Sequence, residues 1–430
     1  MTYREAVSRI LALRGGELAG MRQGLERIHT LLDAIGNPER DFAIVHVGGT
    51  NGKGSISAML AAILQAAGRR VGLYTSPHLI DFRERIRVGG RPIPEADVVD
   101  GVEALGTLVA RVDATMFEAA TALALDHFAR EGVDIAVLEV GLGGRLDATT
   151  VGEPLIEVVG QIDFDHEAHL GTTLTAIAGE KAAIIRSGVA LAARQAPEVE
   201  AVLVRRAAEA RVPLLLEGRE LHVAGRAASL DGQRLDLTGP GWRLDDSRCR
   251  LLGVYQPGNA LLAAAAAHEL NAEDAAIRAG LGAVQWPGRF QVLRRDPIVV
   301  LDGAHNPAGA RALAASLRAY FPNQPVTFVL GVLADKNAPG ILGALEPLAE
   351  RWIFTASANP RAAAPEFLRG LLPAAGVCAQ IASSSREALA LAMQPPRTPI
   401  VCVAGSLSLI GEVLAQATEK QDILCGTPGR

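Results

Sequence analysis

The chain has 430 residues, 49% of them apolar and 21% charged, with a formal net charge of −5. That length exceeds what a single core usually supports, so two domains are expected, in a soluble globular protein of ordinary composition. The acidic balance excludes a general nucleic-acid binder, which would need a basic face.

The opening segment, Met1 to Gly16, mixes charges into a short helical pattern and lacks the unbroken apolar core of a secretory signal. The longest apolar runs, such as Leu261 to Leu270, fall short of the ~20 residues a membrane span needs. Cys249, Cys378, Cys402 and Cys425 are scattered, with no C-x-x-C pair. Free thiols in a reducing compartment are the expectation. Together these features predict a cytoplasmic monomer with neither membrane nor nucleic-acid partners.

Short runs rich in Val, Ile and Leu fall at 42–47, 71–76, 134–140, 155–162, 189–194 and 212–217. Their near-continuous hydrophobicity predicts strands buried on both faces. Helical patterns lie between them, for instance 116–132 and 173–188, with Gly132 and Gly188 where C-caps are expected. From Leu221 to Leu244 the pattern alternates polar and apolar with Asp-Gly and Gly-Pro turn signals, which predicts β-hairpins appended to the main sheet. Helices over 258–270 and 273–283 follow. After a stretch dense in Pro, Gly and Arg (285–297), strand patterns resume at 297–306, 325–332, 351–357, 377–383 and 399–406. The predicted fold class is α/β: a P-loop doubly wound parallel sheet with helices on both faces over 1–286, including a hairpin addition about 220–245. A linker at 287–296 then leads to a smaller Rossmann-like C-terminal domain at 297–430.

Behind the first strand runs His-Val-Gly-Gly-Thr-Asn-Gly-Lys-Gly-Ser, His46 to Ser55. A glycine-rich turn opening a helix aims backbone N–H groups at one spot, where the helix terminus adds partial positive charge. Lys53 would supply a full charge for phosphates, and Thr50 or Ser55 a hydroxyl for phosphate or its Mg²⁺. The match to G-x-x-x-x-G-K-[ST] is imperfect, since Val47 replaces the first glycine and Gly54 follows the lysine. A turn that binds nothing is the competing reading.

Other strand ends also carry reactive groups. After the second strand stand Ser76, a possible metal ligand, and His78 and Arg83, possible anion ligands. Glu139 interrupts an apolar strand, and a carboxylate there must be paired or bind a metal. The segment 163–171 holds two Asp and two His, but His166-x-x-His169 lacks zinc spacing and nearby cysteine. A hard Mg²⁺ or phosphate site suits it better. Lys181 lies in a largely apolar helix, where such a residue ordinarily snorkels outward. In the second unit Asp302, His305, Asn306, Asp335 and Lys336 follow strands, with helix capping as the competing role for Asp302 and Asn306.

Taken in order, TSPHL, RERI, EVGLGGRLDAT, DHEAHLG, EKA, YQPGNALLA, WPGRF and LDGAHNP resemble the folylpolyglutamate synthase and dihydrofolate synthase family of Mur-type ATP-dependent ligases. The resemblance covers nearly the whole chain. It implies that Gly49, Thr50, Asn51, Gly52, Lys53, Gly54 and Ser55 hold ATP phosphates, assisted by Asn259, Arg289 and Asp302. Ser76 and Glu139 would bind a first Mg²⁺ and His166 a second. Lys181 matches a lysine that the family carbamylates, which would make it an anionic ligand of the second ion. His305 matches a site histidine, and Phe117 and Asp147 fall where the family builds its pterin site. Thr150, Asn337 and Arg83 depart from the usual family residues, which touches substrate preference rather than phosphate or metal ligands.

The implied reaction adds L-glutamate to dihydropteroate or reduced folates. ATP activates the acceptor carboxylate as an acyl phosphate, and the glutamate amine displaces phosphate, releasing ADP. Two other functions compete. A Mur-type cell-wall ligase is disfavoured by the LGGRLDAT and TSPHL segments, and a P-loop nucleotide switch by the absence of a guanine-reading N-K-x-D pattern.

Overall fold

A computed structural model of the protein describes residues 1–15, 24–373 and 378–419. Cys425, and Val377 at the start of one expected strand, lie outside the described residues. The main sheet is built from β1 (Ala43–Gly48), β2 (Val71–Tyr74), β3 (Ile86–Val88), β4 (Arg91–Pro92), β5 (Ile135–Glu139), β6 (Ile156–Val159), β7 (Val189–Ala192) and β8 (Leu214–Leu216). Its order is β4-β3-β2-β5-β1-β6-β7-β8, parallel throughout except for the edge hairpin β3–β4. Three further strands, β9 (His222–Ser229), β10 (Gly232–Gly239) and β11 (Trp242–Cys249), form an antiparallel sheet of their own. A six-stranded sheet combines β12 (Gln291–Arg295), β13 (Ile298–Leu301), β14 (Val326–Leu330), β15 (Ala349–Phe354), β16 (Cys378–Ile381) and β17 (Ile400–Ala404), in the order β12-β13-β17-β14-β15-β16.

The parallel strands need crossovers, and helices supply them on both faces. On one face of the main sheet the helices Lys53–Ala66, Gln256–Glu269 and Asp274–Ala283 bury Met59, Ile63, Leu261 and Ile277 against Val45, Val137 and Val158. On the other, Glu95–Val112 and Met116–Arg130 bury Val98, Leu123 and Phe128 against Ile44, Ala136 and Leu138. The second sheet is likewise covered on both faces. The helix Met116–Arg130 starts where Thr115 and Glu118 cap each other reciprocally.

Several expectations are corrected. The alternating segment does not extend the main sheet. Leu235, Leu237 and Leu244 of its own small sheet join the core that also holds the alanine-rich helix Gln256–Glu269. The expected linker carries β12, which pairs antiparallel with β13 and forms the edge of the second sheet. The helical pattern 173–188 yields a helix only over Leu174–Ala182. The chain then turns so that the amides of Arg186 and Ser187 reach Oε1 of the buried Glu157, at 3.0 and 2.9 Å. Gly188 therefore serves a turn (φ +63°) and not a helix end. The expected strand 155–162 stops at Val159, because Gly160 and Gln161 bend around the glycine-rich loop.

Candidate active site

The main sheet switches direction beside β1, whose neighbours are β5 and β6, and such a point opens a crevice at the strand ends. The glycine-rich loop leaves β1 into that crevice. Gly49 has φ +126°, and a Cβ there would meet the Gly160 backbone at 3.0 Å. Gly52 has φ +89°, with Asn259 Oδ1 only 2.6 Å from where its Cβ would be. Both positions demand glycine. The amides of Thr50 and Asn51 donate to the Gln161 carbonyl (2.8 and 3.2 Å), and the Thr50 hydroxyl exchanges hydrogen bonds with the Asp163 backbone. The loop is thus anchored from outside. The N–H groups of Lys53, Gly54 and Ser55, in the first turn of the helix Lys53–Ala66, have no intrahelical acceptor.

Lys53 bends back over its own loop, donating to the carbonyls of Gly49 and Thr50 at 3.2 and 3.1 Å. Lys181, which an apolar helix alone would send outward but the family resemblance places in the site, is 4% exposed, and its Nζ donates to the Gly49 carbonyl at 3.0 Å. Burial, with nearby Lys53 adding to it, pushes its pKa down to about 7. The reason lies in the site: the loop carbonyl and the sheet give this amine a destination inside the protein.

At the end of β5, Glu139 is buried and accepts from the Ser76 amide at 3.1 Å. Burial raises its pKa, while Lys53, the Ser76 amide, Arg289 and Arg85 pull the other way. Arg289 comes from the turn before β12 and Asp302 from the end of β13, so two sheets contribute to one charge cluster. Asp302 accepts from the Tyr255 hydroxyl (2.8 Å) and the amides of Phe290 (2.9 Å) and Ala304 (2.8 Å). It is therefore no helix cap. Asn306 does cap a helix, accepting from Gly309 N at 2.7 Å.

These groups surround one cavity of about 980 Å³. Its wall includes Thr50 to Ser55, Ser76, Phe117, Glu139, Asp147, His166, Lys181, Asn259, Arg289, Asp302 and His305. Gly49 lies just off the wall and contributes its carbonyl. Arg83 is turned away, paired with Asp81 at 2.9 Å and with Glu95, so the expectation of an anion ligand there is corrected. Arg85, buried and hydrogen-bonded through Nε to His78, stands on the wall instead.

Two residues that lie in segments the sequence marked, but to which it gave no individual role, hold the site's halves together. Asp165 accepts from Lys336 Nζ at 2.6 Å and from Asn306 Nδ2 at 3.0 Å, and lies 3.6 Å from His305 Nε2. Burial alone would raise its pKa; His305, His166 and Lys336 outweigh that and hold the carboxyl well below the usual range. His166 packs beside it with a pKa lowered to about 3, chiefly by burial. Strand-end position was the available signal for both Asp165 and Lys336; their pairing depends on tertiary structure.

Residues 47–267 match the Mur ligase middle domain, and 288–407 match the Mur ligase glutamate ligase domain. Dihydrofolate synthase/folylpolyglutamate synthase of Mycobacterium tuberculosis is 40% identical over 79% of this chain and 75% of its own length. The chain belongs to the folylpolyglutamate synthase/dihydrofolate synthase family. Within that family, the structure of Mycobacterium tuberculosis folylpolyglutamate synthase complexed with ADP superposes with a TM-score of 0.90 at 34% identity, over 99% of both chains. E. coli FolC in complex with DHPP and ADP gives 0.89 at 31% identity, over 98% of this chain and 99% of that one. Like other members of the family, the chain is an ATP-dependent ligase of two α/β units.

Proposed function

We propose that the protein uses ATP to join L-glutamate both to dihydropteroate and to reduced folates. One observation carries this reading: the glycine-rich loop from one sheet and Arg289, Asp302 and His305 from the other converge on a single cavity. Solved relatives crystallised with ADP, and with DHPP and ADP, support a nucleotide and a pterin in the corresponding space. The relative named for both activities supports the double substrate range.

A carboxylate is a poor electrophile with a poor leaving group. Transfer of the γ-phosphoryl group onto it makes an acyl phosphate. The glutamate amine then forms the new C–N bond, phosphate leaves with the C–O electron pair, and the amine loses a proton. The protein's part is positioning and charge compensation. The free amides of the first helical turn and Lys53, released from its own loop, receive the phosphates. Asn259 and Asp302 fix the nucleotide, and Arg289 and His305 bring positive charge and a hydrogen-bonding imidazole from the second sheet. His305 Nδ1 lies 2.8 Å from the Gly303 carbonyl, which orients the ring toward Asp165. Phe117 and Asp147 bound the space for the pterin.

Among the described residues no cluster of three or more His, Cys, Asp or Glu is placed to hold a metal ion, so each of the two Mg²⁺ ions would rely on phosphate oxygens beside one or two protein donors. Ser76 and the buried carboxylate of Glu139 are hard oxygen donors for one. Beside His166 the cations Lys181 and Lys336 would repel a second, unless Lys181 is carbamylated; its lowered pKa leaves much of the amine neutral and reactive toward CO₂. Bound Mg²⁺ would neutralise phosphate charge. Among the described residues no helix is long and apolar enough to cross a membrane, and the three described cysteines are free, which supports a cytoplasmic location. We take the working form to be a monomer.

A substrate panel tests the proposal. ADP release and product mass are followed with dihydropteroate, with reduced folates, and with a cell-wall nucleotide acceptor. Glutamate added to both pterin acceptors is expected. Turnover with the wall acceptor alone, or ATP hydrolysis needing neither acceptor nor glutamate, overturns it.

A further inference from the structure

Behind the cavity wall made by Phe117 and the loop 141–150, a line of buried polar groups leads back into the main sheet. Oδ1 of Asp147 accepts from the amide of Thr149 (3.0 Å) and from its hydroxyl. Oδ2 accepts from the amide of Leu142 at 2.8 Å. Thr149 Oγ1 lies 2.8 Å from Nε2 of His46, in the strand that leads into the glycine-rich loop. His46 and Thr149 are both 0% exposed.

The directions of these bonds follow from the groups. A hydroxyl has one proton, and a carboxylate oxygen that already accepts an amide takes that proton as a further donor. Burial raises the Asp147 pKa, but the amides of Leu142, Thr149 and Gly141 and the Thr149 hydroxyl favour the carboxylate; toward that carboxylate Thr149 donates, so its oxygen accepts from His46 and the imidazole is the Nε2–H tautomer. Burial, with Arg186 adding to it, holds the ring neutral by pushing its pKa down to about 3. The other ring nitrogen, Nδ1, is buried and finds no partner among the described residues. An aliphatic side chain would fill this strand position without that penalty. The one hydrogen bond the ring makes is the one to Thr149.

We propose that His46 and Thr149 are positioning residues for the pterin acceptor: His46 Nε2–H fixes the Thr149 hydroxyl, which fixes Asp147 and the loop 141–150. This rests on the reading above that the acceptor lies against Phe117 and Asp147. Gly141, Leu142, Leu146, Asp147 and Ala148 all line the cavity, and Gly141 packs against the Phe117 ring. The glycine-rich loop is anchored through Gln161, Asp163 and Lys181, none of which touches Thr149 or His46, although loop 141–150 also meets the Lys181 helix where the Arg145 amide donates to the Glu180 carbonyl at 3.0 Å. The two ends of the cavity therefore respond differently to damage in this line.

The test compares Thr149→Val, Thr149→Ser, His46→Gln and Phe117→Ala, with KM for dihydropteroate and for ATP measured separately. Thr149→Val is expected to raise the dihydropteroate KM about tenfold, the loss of roughly one buried hydrogen bond, with the ATP KM changed less than about twofold. Thr149→Ser restores most of the affinity, and His46→Gln, which keeps an N–H donor, falls between. In the wild-type enzyme, ¹⁵N NMR of labelled histidine reads the neutral Nε2–H tautomer of His46 across pH 5 to 8, whatever the variants' stability. A Nδ1–H tautomer, or ATP and pterin KM values rising together, overturns the proposal. A raised pterin KM in Phe117→Ala with none in Thr149→Val overturns the positioning line and leaves the acceptor reading standing. Unchanged pterin KM in both variants overturns the acceptor reading and the role of the line with it.

Discussion

Lys181 is a cation in surroundings that discourage charge: it is buried, near Lys53, and satisfied only by one carbonyl. Replacing it with alanine removes a proposed metal ligand but little packing. Turnover of Lys181→Ala should fall about a hundredfold and recover partly with small carboxylic acids, which can occupy the vacated position. Full activity in steady-state assays without the acid would assign Lys181 a structural role. Glu157 offers a second residue-scale test. It is fully buried, with Oε2 lacking a partner, and burial raises its pKa to about 7 against the pull of the Ser187 and Arg186 amides. The folded state thus holds this proton more tightly than the unfolded chain. The associated stability is complete below about pH 4.5 and is lost as pH rises through about 7, by at most about 3 kcal/mol. Urea unfolding of Glu157→Gln between pH 4.5 and 8 should show a flatter profile than wild type; an equal slope would mean another group titrates.

At the scale of elements, the helices Lys53–Ala66 and Asp274–Ala283 approach each other closely. A Cβ on Gly280 would come 2.4 Å from the Ile63 Cα, so the two backbones touch. Gly280→Ala must push the helix Lys53–Ala66 aside and should cost about 1–3 kcal/mol, read from the urea midpoint. It should also raise the ATP KM; an unchanged KM with normal stability would show that the pair can slide apart freely. Elements like these were legible in the sequence where the signal is local. Apolar runs marked the parallel strands, and glycines around one lysine marked the strand-to-helix loop that opens into the cavity. Three misreadings share a cause in tertiary structure. Whether an alternating hairpin joins the main sheet depends on which surface awaits it, here an alanine-rich helix. The polar segment Gln291–Arg295 became a strand because β13 offered it a free edge. The helix through Lys181 ended early because Glu157, distant in sequence, required two amides. For the site, single residues at strand ends could be read, whereas Arg85, Asp165 and Lys336 acquire their roles only from neighbours brought by folding.

Across the whole molecule, the two large sheets are tied to each other by direct side-chain bonds. Asp165 holds Lys336 and Asn306, Asn306 also pairs with Asn51 at 3.1 Å, and Arg311 pairs with Asp163 at 2.9 Å. Lys336 and Asp165 are both 7% exposed, so removing one partner strands a buried charge, a loss of about 3–5 kcal/mol. Asp165→Ala should therefore open the molecule, seen as a larger radius of gyration by small-angle scattering, and lower kcat. Unchanged scattering with wild-type kcat would show that other contacts suffice. The path between the sheets gives a further consequence. Because β12 is already part of the second sheet, the path from the preceding helix into that sheet runs through a short turn, where Gly288 has φ +74° and Phe290 φ +43°. Arg289 sits between those two positive-φ residues and contributes positive potential at Glu139. Any motion that parted the sheets at this turn would carry the guanidinium away from Glu139, so the charge cluster would loosen as the cleft widened.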